Sequence, residues 1–132
     1  MLTDIAEEFS TLESSDSPRN LPVDWNIKPT QDIYIIKAGE NQGRRIDVVS
    51  WGLIAPWSKN GVEAQRSQSQ AINARFESVH EKPTFRRAFT TSRCLVPASG
   101  YYEWATELGR YKSKQPVFIS RADSHLLAFT GV

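Results

Sequence analysis

The chain has 132 residues, 39% of them hydrophobic and four of them tryptophan, which suits one domain with a real core. Sixteen Lys and Arg against fifteen Asp and Glu leave a net charge of +1, so no global field draws the protein to nucleic acid or to an anionic membrane. The single cysteine, Cys94, excludes an internal disulfide framework, and His80 and His125 alone cannot complete a structural zinc site with it. No run approaches the roughly 20 apolar residues of a membrane span, and the N-terminus lacks the layout of a signal peptide. The expected compartment is the cytoplasm.

Leu2, Ile5, Ala6, Phe9 and Leu12 recur at helical spacing, which predicts an amphipathic helix over 3–12 with Glu7 and Glu8 on its wet side. Residues 13–22 are rich in Ser, Asp, Pro and Asn, have no periodicity and read as a loop. Pro29 restricts Lys28 to extended geometry and leads into a β-branched and aromatic strand, Ile33 to Ile36. After the turn Gly39 to Gly43, Ile46 and Val48 alternate with Arg45 and Asp47, so the two segments form a hairpin. Trp51 to Trp57 is apolar but broken by Gly52 and Pro56, and Ser58 to Gln70 reads as a polar, irregular loop. Phe76 to His80 suggests a helical turn, and Pro83 opens a short helix with Phe85, Ala88 and Phe89 inward and Arg86 and Arg87 outward. Cys94 to Val96 reads as a buried strand, Pro97 to Gly100 as a bend, and Tyr101 to Trp104 as a strand with Glu103 opposite Trp104. Glu107 to Lys114 is a turn, and Val117 to Ile119 is expected to pair with Leu126 to Phe129 across Ala122-Asp123-Ser124. The fold class is α+β, a mostly antiparallel, barrel-like sheet with a few short flanking helices, in a single domain over 1–132.

No phosphate loop, zinc motif or serine elbow is present, so chemistry has to be argued from isolated groups. Glu103, held between aromatic residues, reads first as a carboxylate paired with an arginine on a solvated face, and otherwise as a partly desolvated one with a raised pKa suited to general acid/base work. Asn73 offers a donor and an acceptor for orienting a reacting group, or serves as a turn residue. Arg75, with Arg86, Arg87 and Arg93, lines a phosphate-binding face interleaved with Trp57 and Trp104, or these are scattered surface arginines. Trp51 reads as a core ring, and Cys94 as an inert buried thiol.

Six strings occur in one order: Asn26-Ile27-Lys28-Pro29-Thr30-Gln31, Trp51 to Trp57, Ile72-Asn73-Ala74-Arg75, Glu81-Lys82-Pro83-Thr84-Phe85-Arg86, Arg93 to Trp104, and Lys114-Gln115-Pro116. With them the chain resembles the SOS response-associated peptidase (SRAP) domain, a family that shields abasic sites. The resemblance implies recognition of abasic sites in single-stranded DNA, at the nucleoid during DNA damage, with no metal and no cofactor. It implies bonding through a cysteine exposed at the N-terminus once methionine is removed. The amine forms a Schiff base with the opened sugar aldehyde, the thiol closes a thiazolidine, and the same cysteine trims any leader. The assisting asparagine and glutamate carry onto Asn73 and Glu103, the phosphate-contacting arginine onto Arg75, and the ring that splays the strand onto Trp57.

Two departures stand beside these matches. Family chains open Met-Cys-Gly-Arg where this one reads Met1-Leu2-Thr3, and they continue past the strand matched by Ala128 to Val132 into a His-x-Arg-Met-Pro-like segment. Neither His80 nor His125 sits in that segment. The expectation is a truncated or degenerate copy that forms no thiazolidine crosslink and retains weak single-stranded DNA binding. The alternatives are a non-catalytic single-stranded DNA-binding module, a monomer if intact, or a domain that pairs with itself through exposed sheet edges.

Overall fold

The computed structural model describes residues 1–11, 19–105 and 114–132. Its centre is the hairpin of Asp32–Ala38 (β1) and Arg44–Ser50 (β2), antiparallel and in register from Asp32 opposite Ser50 to Ala38 opposite Arg44. The turn between them closes with Gly39 N–H donating to the Gly43 carbonyl at 2.9 Å, while Asn41 and Gln42 take left-handed backbone angles. Directly opposed residues share a face, so Tyr34 with Val48 and Ile36 with Ile46 make one apolar surface. Helix α1, Leu2–Glu8, lies on it through Ile5, with Leu2, Ala6 and Phe9 alongside. Burying one isoleucine such as Ile5 stabilises by about 2–3 kcal/mol. Tyr34 keeps its polar tip satisfied at the edge of this core, accepting from Leu21 N–H at 2.6 Å and donating to the Arg19 carbonyl at 3.2 Å.

Cys94–Ala98 (β3) joins the other side of β1 through Leu95 opposite Ile36, and Leu127–Gly131 (β6) pairs with β3. The order is β2-β1-β3-β6, while Tyr101–Ala105 (β4) and Gln115–Ile119 (β5) form a second, two-stranded sheet. The α+β class and the antiparallel pairing are as the sequence predicts. Among the described residues, the strands make two open sheets rather than one closed barrel.

The expected hairpin of 117–119 with 126–129 does not form. The Ala122-Asp123-Ser124 turn is there, held by Arg121 Nε donating to Asp123 Oδ1 at 2.8 Å and by His125 N–H on the same oxygen at 3.2 Å. Leu126 N–H then donates to Glu8 Oε1 at 3.0 Å, which ties the outgoing chain to α1, and β6 finds β3 while β5 finds β4. Non-local pairing overrides a local turn signal.

Residues 58–70 are also not the irregular loop their polarity suggests: Gly61–Gln70 is helix α2. Asn60 caps it by accepting from Glu63 N–H at 3.0 Å, and Glu63 reaches back to Lys59 N–H at 2.8 Å. No residue of α2 is buried, so it carries no hydrophobic period to read. Helix α3 runs over Arg86–Thr91, later than Pro83, because residues 82–85 form a turn in which Phe85 N–H donates to the Lys82 carbonyl. Phe85, Ala88 and Phe89 are half-buried and Arg86 and Arg87 exposed, as predicted. One helical turn follows Arg75, with Val79 N–H on its carbonyl at 2.9 Å. The last residue of the predicted first helix, most of the loop over 13–22 and the turn over 107–113 lie outside the described residues. No helix among the described residues is long and apolar enough to cross a membrane.

Candidate functional site

The strings Trp51 to Trp57 and Ala71 to Arg75, twenty residues apart in sequence, are fastened together by backbone. Trp51 continues the β2 edge, donating its N–H to the Gln31 carbonyl at 2.9 Å and accepting from Thr30 N–H at 2.8 Å. At Gly52 the backbone turns with φ +116°, and a Cβ there would stand 2.1 Å from the Gln68 carbonyl oxygen of α2. The chain passes so close to the helix that only glycine fits. Beyond it Leu53 N–H donates to the Ala71 carbonyl at 3.0 Å, and Trp51 Nε1–H donates to the Ile72 carbonyl at 3.1 Å. Ser67 completes the fastening, its hydroxyl accepting from Ala55 N–H at 2.8 Å and donating to the Leu53 carbonyl at 2.9 Å.

This arrangement makes Trp51 a half-buried bolt rather than a fully buried core ring. It leaves Asn73 and Arg75 exposed at the end of the fastened segment, and Trp57 exposed at 56% past Pro56.

A second group gathers on β4. Trp25, Asn26, Tyr102, Glu103, Trp104 and Pro116 line an open cleft of about 440 Å³, and Trp104 also lines a hollow of about 350 Å³ with Lys114. Trp25 is 69% exposed and Trp104 64%. Glu103 is exposed, which agrees with the solvated-face reading and rules out the desolvated one. Its strand belongs to a two-stranded sheet whose residues stay open from Tyr101 to Trp104, and burial resumes only at Ala105. The β3–β4 bend is tight at Gly100, where a Cβ would lie 2.3 Å from Phe118 Cζ and 2.5 Å from the Ile119 carbonyl oxygen.

The structure therefore brings Glu103 together with Trp104, and Asn73 with Arg75. Among the described residues, Trp57, Asn73, Arg75 and Arg86 do not line the Glu103 cleft. Arg86 stands exposed on α3, and Arg93 sits over the Phe89 ring at 5.4 Å from its centroid. Trp25 and Asn26 were not legible as site residues. Trp25 lies among Leu21, Val23 and Ile27, so its sequence neighbours are as consistent with a core ring as with an exposed one.

Cys94 is half-buried on β3, and burial pushes its thiol up, partly countered by the Lys37 ammonium. A Cβ on Gly131, across the ladder, would stand 2.7 Å from its sulfur, so the thiol is closely packed. Among the described residues no three His, Cys, Asp or Glu side chains gather as a metal-binding set.

The architecture is one seen before. A crystal structure of a protein from Bordetella bronchiseptica superposes with a TM-score of 0.75 at 25% identity, covering 98% of this chain and 58% of that one. One from Bacteroides thetaiotaomicron does so with a TM-score of 0.64 at 30% identity, covering 76% of this chain and 40% of that one. The fold is thus that of a known class of mixed, antiparallel proteins. The chain belongs to the SOS response associated peptidase (SRAP) family, whose family model matches residues 2–132.

Its relatives include the abasic site processing protein YoqW of Bacillus subtilis (strain 168), 36% identical over 98% of this chain and 54% of that protein. YoaM of the same strain is 39% identical over 82% of this chain and 44% of its own length. The abasic site processing protein HMCES of Xenopus tropicalis is 31% identical over 86% of this chain and 32% of its own length. The chain spans about half the length of the first of these relatives.

Proposed function

We propose that this chain takes part in abasic-site processing by binding single-stranded DNA that carries an abasic sugar, in the cytoplasm and at the nucleoid. The observation that carries the reading is the cleft on β4, whose lining includes an exposed carboxylate, Glu103, and two exposed indole rings, Trp25 and Trp104. An abasic sugar has no base to stack, so a protein recognises it through its neighbours: rings for the flanking bases, cations for the phosphates and polar groups for the sugar. Trp104 and Trp57 supply rings, Arg75 and Arg86 supply phosphate contacts, Asn73 orients the sugar, and Glu103 takes the anomeric hydroxyl proton and returns it to the ring oxygen as the sugar opens to its aldehyde.

The thiazolidine and the trimming of a leader, both implied by the family resemblance, require an aminothiol. Cys94 is not that group: it lies inside a strand, half-buried, with its proton held more tightly than usual. The chemistry proposed for these 132 residues is binding, orientation and proton transfer, without bond formation through sulfur.

Fluorescence anisotropy with an abasic single strand, the same strand intact, and a duplex tests the reading. The abasic strand is expected to bind tightest, with an affinity falling as salt rises by a log–log slope of roughly 0.7 per phosphate contact. A denaturing gel of the same mixture is expected to show no shifted band. Equal affinity for strand and duplex, or a covalent band abolished by Cys94→Ser, sinks the proposal.

A further inference from the structure

We infer that the β4 cleft is a stacking slot for one unpaired nucleobase next to the abasic sugar, with Trp25 as the second wall and Asn26 as a polar contact to the base edge. The inference rests on the proposal that the chain binds abasic single strands, and it adds two residues to which no role has been assigned.

Four observations carry it. Trp25 and Trp104 line the same cleft from separate parts of the chain, one in the segment before β1 and the other on β4. Among the described residues neither indole is in a ring pair: the pairs beside the cleft are Tyr102 with Phe118, centroids 5.2 Å apart, and Tyr101 with Phe129, 5.6 Å apart. Two indoles that share a cleft without stacking on each other or on a neighbour leave room for a flat ring. A volume of about 440 Å³ falls within the roughly 300–1,000 Å³ of small-ligand clefts.

Second, Trp25 does not owe its exposure to a loose chain. Asp24 accepts from Asn26 N–H at 2.8 Å and from Gln31 Nε2 at 3.2 Å, and Gln31 in turn accepts from Lys28 N–H. This turn holds residues 24–31 in one shape, so the ring is presented before any ligand arrives. Third, Pro116, opposite Trp104 and in the same lining, adds a pyrrolidine ring and no N–H donor. Fourth, Asn26 spends its backbone N–H on Asp24 and, among the described residues, makes no side-chain hydrogen bond, leaving an amide donor and acceptor at the cleft. A flat, apolar-faced, polar-edged group is a nucleobase, and single-stranded nucleic-acid sites are built from such rings.

The test is a cycle between protein and DNA, read by anisotropy. The full chain and its Trp25→Ala and Trp25→Phe variants are titrated with a strand carrying one abasic site, and with strands in which the base on its 5′ or its 3′ side is also removed. Trp25→Ala is expected to lose roughly 5- to 100-fold in affinity for the first strand. It should lose nothing further on the one strand that lacks the stacked base, and Trp25→Phe should recover most of the loss. If the unsubstituted chain prefers abasic single strands but the two losses multiply, or Trp25→Ala binds undiminished, the stacking slot is overturned and the proposed function stands. If the unsubstituted chain shows no such preference, both fall.

Discussion

At Gly52 the backbone sits in a region that L side chains rarely adopt, with the Gln68 carbonyl oxygen where a Cβ would go. Gly52→Ala would meet both problems, and neither is relieved by a rotamer change because the obstacle is backbone. The expected loss is about 2–4 kcal/mol from strain and overpacking together, read as a lower urea midpoint at unchanged slope. At this scale the ordered strings single out Asn73, Arg75, Trp104 and Glu103, and the structure shows all four exposed. The sequence was silent on Trp25, because nothing in a single sequence reports that a ring has no partner. For Glu103 the solvated reading is the one the structure bears out, since flanking aromatic residues desolvate a carboxylate only when a second layer covers their strand, and Tyr101 to Trp104 are exposed.

Helix α2 is an element that holds others in place. It buries nothing, yet its Ser67 hydroxyl and Gln68 amide fix Leu53, Ala55 and Ser50 and thereby set the course of the segment leading to Trp57. Ser67→Ala removes one hydroxyl from two hydrogen bonds and leaves Ala55 N–H and the Leu53 carbonyl without it. The expected cost is about 1–3 kcal/mol, with faster hydrogen exchange at Ala55 as the local readout. If Trp57 contacts DNA as proposed, the same variant weakens binding without touching a DNA-contacting group. The β1–β2 hairpin was legible because alternation and a glycine turn agree there. Helix α2 was not, because its signals are a cap and an absence of breakers rather than a period. The partner of β5 was not legible either, because it lies beyond residues 106–113 in sequence and local turn chemistry pointed the other way.

Across the whole molecule, among the described residues, the buried hydrophobic core is small: Ile5, Tyr34, Ile35, Ile36, Ile46, Ala55, Val79 and Ala105. The margin left by so thin a core is narrow, and electrostatic contributions weigh more in it. Asp47, on the face of the sheet away from α1, accepts from Lys37 Nζ at 2.6 Å and from Arg45 at 3.2 Å. The Lys37 hydrogen bond, followed by its charge, holds the Asp47 carboxyl below its ordinary value against the effect of burial. A depressed folded-state pKa means the stabilisation is complete above the ordinary carboxylate value and is lost as pH falls through the lowered one. Acid unfolding of Asp47→Asn should therefore begin from a lower plateau and show a shallower slope in that range. An acid limb identical to that of the unsubstituted chain would remove Asp47 from the account.

The exposure of the indoles also has a spectroscopic consequence. Three of the four tryptophans, Trp25, Trp57 and Trp104, meet solvent in the folded chain, and Trp51 is half-buried. The native emission is dominated by rings already in water and resembles that of the unfolded chain, so intrinsic fluorescence follows unfolding poorly. For the same reason it responds strongly to whatever covers those rings, and the protein carries its own optical probe for occupancy of the β4 cleft.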